Sequence, residues 1–420
     1  MVKPMHSRFK RIFLLLLPAC FYSSSLLAGG PLVIEGPAGH TPVSYANPNI
    51  VLNLDQGMLG IRNKAQADLL IEQGFALWNN VSSATIQFTK GTDLSTDINI
   101  SNFTTVLPNL NETVLHEDDG LNPIVYDTDG SIIDAFFGSG ASNNTIGFAA
   151  SIVFVGSSDF VEGYAVFNGR DIGLTNTEIK LLIAHELGHF AGLDHTQANI
   201  NNSESFQGLP PVCSTSLGNQ YPVMYPFVCR DIESLHADDI SAVSALYPSA
   251  SFNQQFGQIN GFFTDAAGNP IVGTNLWAEN VTTGEVVSTV SDYLENNNGF
   301  YQLFLPPGNY TLHANSINPE FTGGSGIGPY TANIADRSFQ FPHPISDVIY
   351  QGGTPGSAAI LTVVAGQITP VNFASNGGTA VPVINTGGGS GGGGGGALSS
   401  GLPLLATVLI CVLCRRRLTV

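Results

Sequence analysis

Basic residues are scarce in this chain. It has 420 residues, with 14 Lys and Arg against 32 Asp and Glu, a formal charge of -18. Seven of the 14 bases sit at the ends: Lys3, Arg8, Lys10 and Arg11, then Arg415, Arg416 and Arg417, with no acid beside them. The body keeps seven bases against 32 acids, a charge of -25. Such a body does not attract nucleic-acid phosphate through bulk charge, so no nucleic-acid partner is expected. Charged residues are only 11% and glycines number 48, which excludes a charged coiled coil or a helical bundle. Two catalytic signatures are also missing. There is no Gly-x-Ser-x-Gly nucleophile motif, and the glycine run at 391–396 lacks the Lys-Ser/Thr of a phosphate-binding loop. Hydrophobic residues at 43% and aromatics at 9% do allow a core, which excludes disorder of the whole chain.

The ends read as addresses. Residues 1–28 have a basic start, an apolar run at 12–17 and a small-residue exit near Ala28, the pattern of a secretory signal. A membrane anchor is the alternative, but the apolar core is short for a span. Leu17-Pro18-Ala19-Cys20 faintly resembles a lipobox, with Pro18 a poor fit. At the other end, 377–400 is a Gly-rich linker, and 401–420 is a hydrophobic segment stopped by the three arginines. This order resembles the GlyGly-CTERM sorting tail of Gram-negative bacteria. The resemblance implies membrane retention through the tail, then cleavage by a sorting protease after export. A plain anchor is the alternative. The expected location is extracellular or on the outer cell surface.

Cysteine use agrees with export. Cys20 lies in the signal, and Cys411 and Cys414 in the tail. Only Cys213 and Cys229 remain in the body; in an oxidising compartment they most simply pair, the alternative being two buried thiols.

The body divides at Pro248. Residues 29–248 mix helix and strand signals, and 252–376 carry strand and turn signals only, so an α+β fold is expected. Strands are expected at 49–54, 85–88, 98–101 and 151–155. Helices are expected at 64–80, after Thr175 with Glu178 completing a capping box, and at 237–246. In the second block, strands are expected at 258–264, 275–280, 286–291, 299–305, 310–314 and 361–364, separated by turns such as Asn269-Pro270 and Pro307-Gly308-Asn309. Its turn chemistry resembles the carboxypeptidase regulatory-like domain, which implies a small antiparallel β-sandwich.

The chemistry is concentrated in His185-Glu186-Leu187-Gly188-His189-Phe190-Ala191-Gly192-Leu193-Asp194-His195. On a helix, positions 185 and 189 lie about 40° apart around the axis and ~6 Å apart along it, so both imidazoles leave one face. Glu186 stands beside the first. Gly192 can take a left-handed conformation and turn the chain, bringing His195 back as a third ligand. Three imidazoles leave zinc an open position for water, the arrangement of a catalytic site. His40, His116, His236, His313 and His343 are isolated and read as surface or hydrogen-bonded residues.

This extended motif resembles that of the metzincin zinc proteases. Pro222-Val223-Met224-Tyr225-Pro226 resembles the Met-turn of that family, with Met224 beneath the zinc. Trp78 and Asp238-Asp239-Ile240 resemble the first and last helices of the matrixin branch. The resemblance implies a metzincin-type catalytic domain, a twisted sheet plus three helices, ahead of the sandwich. It implies Zn2+ held by His185, His189 and His195, with Glu186 as general base. Segment 225–235 would wall an apolar pocket for the residue after the cleaved bond. Pro226 excludes the fifth, tyrosine ligand of astacins. The segment from Asp127 through Asp129 to Asp134 resembles the loop beside the matrixin structural zinc, but Asp134 stands where a histidine is expected. Those three carboxylates suit Ca2+; an Asp-Gly turn with solvated acids is the alternative.

The expected function is a secreted or surface-attached zinc-dependent endopeptidase, a monomer acting on protein or peptide substrates. Two rivals remain: a catalytically inactive surface adhesion protein on the same scaffold, and a zinc hydrolase acting on a non-protein amide.

Overall fold

The structure is a computed structural model. It describes residues 30–35, 41–107, 119–153, 157–170, 173–199, 213, 215–318, 321, 326–328, 347–383 and 412–415. The signal segment, most of the linker and most of the tail lie outside the described residues. Among the described residues no helix is long and apolar enough to cross a membrane.

The first region opens with a short antiparallel pair, β1 (Ile34–Glu35) and β2 (Thr41–Pro42). There follow β3 (Ser44–Tyr45), β4 (Asn49–Leu54), α1 (Lys64–Asn79), β5 (Gln87–Lys90), β6 (Pro123–Asp127), α2 (Ser131–Phe137), β7 (Thr145–Val153) and β8 (Asp159–Asn168). Next come α3 (Asn176–Phe190) and α4 (Ala237–Leu246). The sheet order is β7-β8-β6-β4-β5, with β3 also on β8. Pairings among these six strands are parallel except β7 with β8. Every residue of β6 and β7 is buried, as for strands covered on both faces.

Local chemistry sets the two long helices. The Asn63 side chain accepts from the Gln66 amide and the Gln66 side chain from the Asn63 amide, a capping box for α1. Thr175 and Glu178 build the same device for α3. The helices meet at Gly74, where a Cβ would lie 2.3 Å from Ile183, so only glycine permits this approach. The Trp78 indole N–H donates to the Ala184 carbonyl at 2.8 Å and fixes their register.

The second region begins with α5 (Phe252–Gln255). It holds β9 (Gly257–Thr264), β10 (Thr274–Asn280), β11 (Val286–Val290), β12 (Phe300–Leu305) and β13 (Gly308–Ser316). The remaining strands are β14 (Val348–Ile349), β15 (Leu361–Val363), β16 (Ile368–Pro370) and β17 (Phe373–Ala374). One sheet runs β11-β10-β13-β14, with β15 also on β13. The other runs β12-β9-β16, with β17 also on β9. The β16 and β17 pairings are parallel and all others in the sandwich antiparallel. Its core residues, among them Ile259, Leu276 and Leu303, form one cluster with the core of the first region. The contact runs through α4: Ser241 donates to the Phe304 carbonyl at 2.7 Å, and Asp238 accepts the Ser288 amide at 2.5 Å. In the tail, β18 (Val412–Arg415) pairs antiparallel with β7.

The mixed fold of few helices and several sheets agrees with the expected α+β class. Several details differ, among them the strands β6 and β8, absent from the expected set, and β5, which starts at Gln87 rather than Thr85. Residues 98–101 form a turn leading to a 3-10 segment at Phe103–Thr105, not a strand. There the Asn102 carboxamide accepts the Asn99 amide at 2.8 Å and Asn99 accepts the Ser101 amide at 3.0 Å, local bonds that displace a ladder. Of the expected strand at 151–155, residues 151–153 end the longer β7, and 154–155 lie outside the described residues. Two short helices, α2 and α5, join the three expected.

Candidate metal centre

Helix α3 is buried along its second half, and His185, Glu186 and His189 are at most 1% exposed. Glycines make this crowding feasible. A Cβ on Gly188 would lie 2.2 Å from Met224 Sδ and 3.0 Å from Trp78. The helix ends at Gly192, with φ +89, where the Leu193 amide donates back to the Gly188 carbonyl and the Gly192 amide to that of His189. The chain then doubles back and places His195 against the other two rings.

The three Nε2 atoms lie 3.0, 3.2 and 3.3 Å from one another. Each Nδ1 faces a backbone carbonyl: Val223 for His185 at 2.7 Å, Leu193 for His189 at 2.8 Å and Gly326 for His195 at 3.0 Å. A carbonyl can only accept, so each Nδ1 carries the proton and each neutral Nε2 offers a lone pair. Burial enforces neutrality. It pushes His185 down to about 4, against the Val223 carbonyl, which favours the charged form. His189 and His195 are driven well below the usual range by burial first and neighbouring rings second.

Three lone pairs converging at van der Waals distance repel unless a cation lies between them. Tetrahedral bonds of ~2.0–2.1 Å from zinc to imidazole nitrogen require nitrogen separations of about 3.3–3.4 Å, close to those observed. The set thus fits a metal ion, and among the described residues it is the only group of three or more His, Cys, Asp or Glu with ligand atoms close enough to hold one. Glu186 adds a second sign. Its carboxylate is fully buried and neither oxygen has a hydrogen-bond partner. Burial raises its pKa well above the ordinary range. The Ala149 amide of β7 opposes this, without reaching hydrogen-bond geometry.

Met224 is 1% exposed and lies against Gly188 of α3. The Asp239 carboxylate accepts the Val223 and Met224 amides at 2.8 and 3.0 Å and the His236 amide at 2.8 Å, tying this turn to α4. The Thr196 amide donates to the Met224 carbonyl at 3.0 Å, tying it to the segment that carries His195 as well. Tyr225 and Phe227, from the expected pocket wall, pack on Phe321 of the second region. Cys213 and Cys229 form a disulfide, with Cα atoms 5.4 Å apart, closing the segment that holds this turn.

Asp127, Asp129 and Asp134 are not brought together as ligands. Asp127 accepts the Ile133 amide, Asp129 the Ser131 amide and Asp134 the Ser142 amide. Their oxygens order the turn into α2, and burial pushes Asp127 up to about 6. Of the isolated histidines, His236 caps α4 and His313 bridges Thr311 and Asp347. His40, His116 and His343 lie outside the described residues.

Sequence reasoning missed the surroundings of His195. The His195 amide donates to Asp194 Oδ1 at 2.6 Å, and the Tyr293 hydroxyl to Asp194 Oδ2 at 3.0 Å. Burial pushes Asp194 up to about 7, against these two bonds and the Gly328 amide. No local pattern signals a contact spanning 99 residues. No protein-family model and no curated protein matches this chain.

Proposed function

We propose that this protein is an exported zinc-dependent endopeptidase whose first region is a metzincin-type catalytic domain of the matrixin-like branch. The observation that carries the reading is the convergence of three unprotonated Nε2 atoms beside the unpaired Glu186 carboxylate. His185, His189 and His195 hold the ion. Zinc bound there supplies Lewis acidity, polarising a peptide carbonyl and making water more acidic. Glu186 accepts the proton of the attacking water and delivers it to the departing amine. Its burial suits it to the task, because a raised pKa makes a carboxylate a usable base near neutrality.

Two further observations support the reading. The Gly192 turn and the placement of Met224 against α3 are what the metzincin resemblance implies. The outer edge of β7 lies beside Glu186, and β18 pairs with it antiparallel, so that edge accepts an extended peptide backbone. The disulfide and the signal-like residues 1–28 support export.

The test is Glu186→Ala in the full chain. Zinc should remain bound while cleavage of a casein substrate falls by about 10²- to 10⁴-fold. Undiminished cleavage removes Glu186 from its role. Parent-chain cleavage that a zinc chelator does not abolish, or none at all, favours an inactive adhesion protein.

A further inference from the structure

We propose that the β-sandwich is part of the metal centre: Tyr293, acting through Asp194, and the Gly326 carbonyl are positioning groups that aim His195. The proposal rests on the metal-site reading above.

His185 and His189 are aimed by their own region, since both project from α3 and their Nδ1 partners, Val223 and Leu193, belong to it. His195 follows a turn and stands on no regular element. Both groups that orient it trace to the sandwich. Its Nδ1–H donates to the Gly326 carbonyl, and its backbone amide to Asp194, whose other oxygen takes the Tyr293 hydroxyl. The carbonyl sets the plane and tautomer of the ring, and the carboxylate sets the backbone that carries it.

The Tyr293 ring lies in a slot cut by two glycines. A Cβ on Gly30 would stand 1.9 Å from the ring, and one on Gly328 2.6 Å; both glycines have positive φ, +80 and +59. The Gly30 carbonyl also accepts the Asp194 amide at 3.3 Å. Three distant stretches of chain thus close on the residue before the third ligand. A sandwich acting only as a spacer on a stalk has no need of this arrangement.

Tyr293→Phe in the full chain keeps the ring and removes only the hydroxyl. Zinc affinity, measured by competition with a chromophoric chelator, should weaken about ten- to hundredfold, the usual effect of losing a ligand's outer partner. The visible spectrum of the cobalt-substituted protein should change in band position or intensity. Tyr310→Phe is the control, because the residue is 2% exposed and the change removes a comparable bond, to the Pro306 carbonyl at 2.7 Å, at the opposite end of β10 from Thr274. It should lower the melting temperature and leave both metal readouts at the parent value. Asp194→Asn keeps the shape and gives a second reading, with the same weakening expected. Parent-like zinc affinity and cobalt spectrum in both variants overturn the inference and leave the peptidase reading standing. A parent chain that binds zinc but cleaves no peptide removes only the peptidase reading. A parent chain that takes up no zinc removes both, and shows it before any variant is made.

Discussion

In the first region the carboxylate of Glu186 is buried with neither oxygen hydrogen-bonded, beside three converging lone pairs. In the sandwich the hydroxyls of Thr264 and Thr274 and the indole N–H of Trp277 are buried without a partner, and all three are neutral. The distinction matters energetically. An unmade bond of a neutral group costs about 1–3 kcal/mol, which packing can absorb. An ionisable group costs more and escapes by changing its protonation state. Several such groups facing one point are tolerable only because something else binds there. Unpaired neutral groups are flaws of fit, and unpaired ionisable groups that converge mark a site.

The largest effect that would break this comparison is loss of a ligand. His189→Ala should abolish both zinc uptake, read by elemental analysis, and chelator-sensitive proteolysis. Retained zinc would mean that the ion lies elsewhere. A smaller effect concerns the metal-free protein. Glu186→Leu removes the unpaired carboxylate and should raise metal-free stability to urea by about 1–3 kcal/mol while eliminating activity. Thr274→Val, its counterpart in the sandwich, should raise stability by only about 1 kcal/mol, the low end of the cost of an unmade neutral bond, and leave zinc affinity alone. If the two substitutions shift the urea midpoint equally, the contrast between the regions fails.

The pH dependence sharpens the same point. Because burial holds the three imidazoles below their usual range, they are already neutral where exposed histidines, with pKa about 6.5, would be charged. Protons therefore do not compete for the ligands between pH 5.5 and 7.5. The remaining dependence comes from Glu186, whose raised pKa makes it release a proton as the ion enters. At the acid end of that range log Kd for zinc should fall by no more than about one per pH unit as pH rises, whereas an exposed set, with pKa about 6.5, would approach three. A slope near three would place the rings in water.

What the sequence made legible was local. The capping box of α3, the spacing of His185 and His189 and the turn at Gly192 each lie within a few residues, and helix α4 matches its expected span. The strands β6 and β8 were not legible. They are buried parallel neighbours paired across some 40 residues, and Glu162 and Gly163 interrupt the apolar pattern of β8. The Asp127–Asp129–Asp134 loop was legible as structured but not as to what structures it. Carboxylates that cap backbone amides and carboxylates that hold a cation share the same spacing; here each accepts a backbone amide, from Ile133, Ser131 and Ser142, and the three do not cluster. Of the candidate site, the cluster of His185, His189 and His195 beside Glu186 could be read, because a helix fixes His185, Glu186 and His189 and the turn at Gly192 places His195. The Gly326 and Tyr293 contacts could not, because only the docking of the sandwich creates them.

The most direct measurement is the zinc content of the purified full chain, set beside that of a His185→Ala, His189→Ala, His195→Ala variant. One zinc per parent chain and none in the triple variant is the expected result. A parent free of metal, or a variant that carries as much as the parent, would contradict the account at its centre.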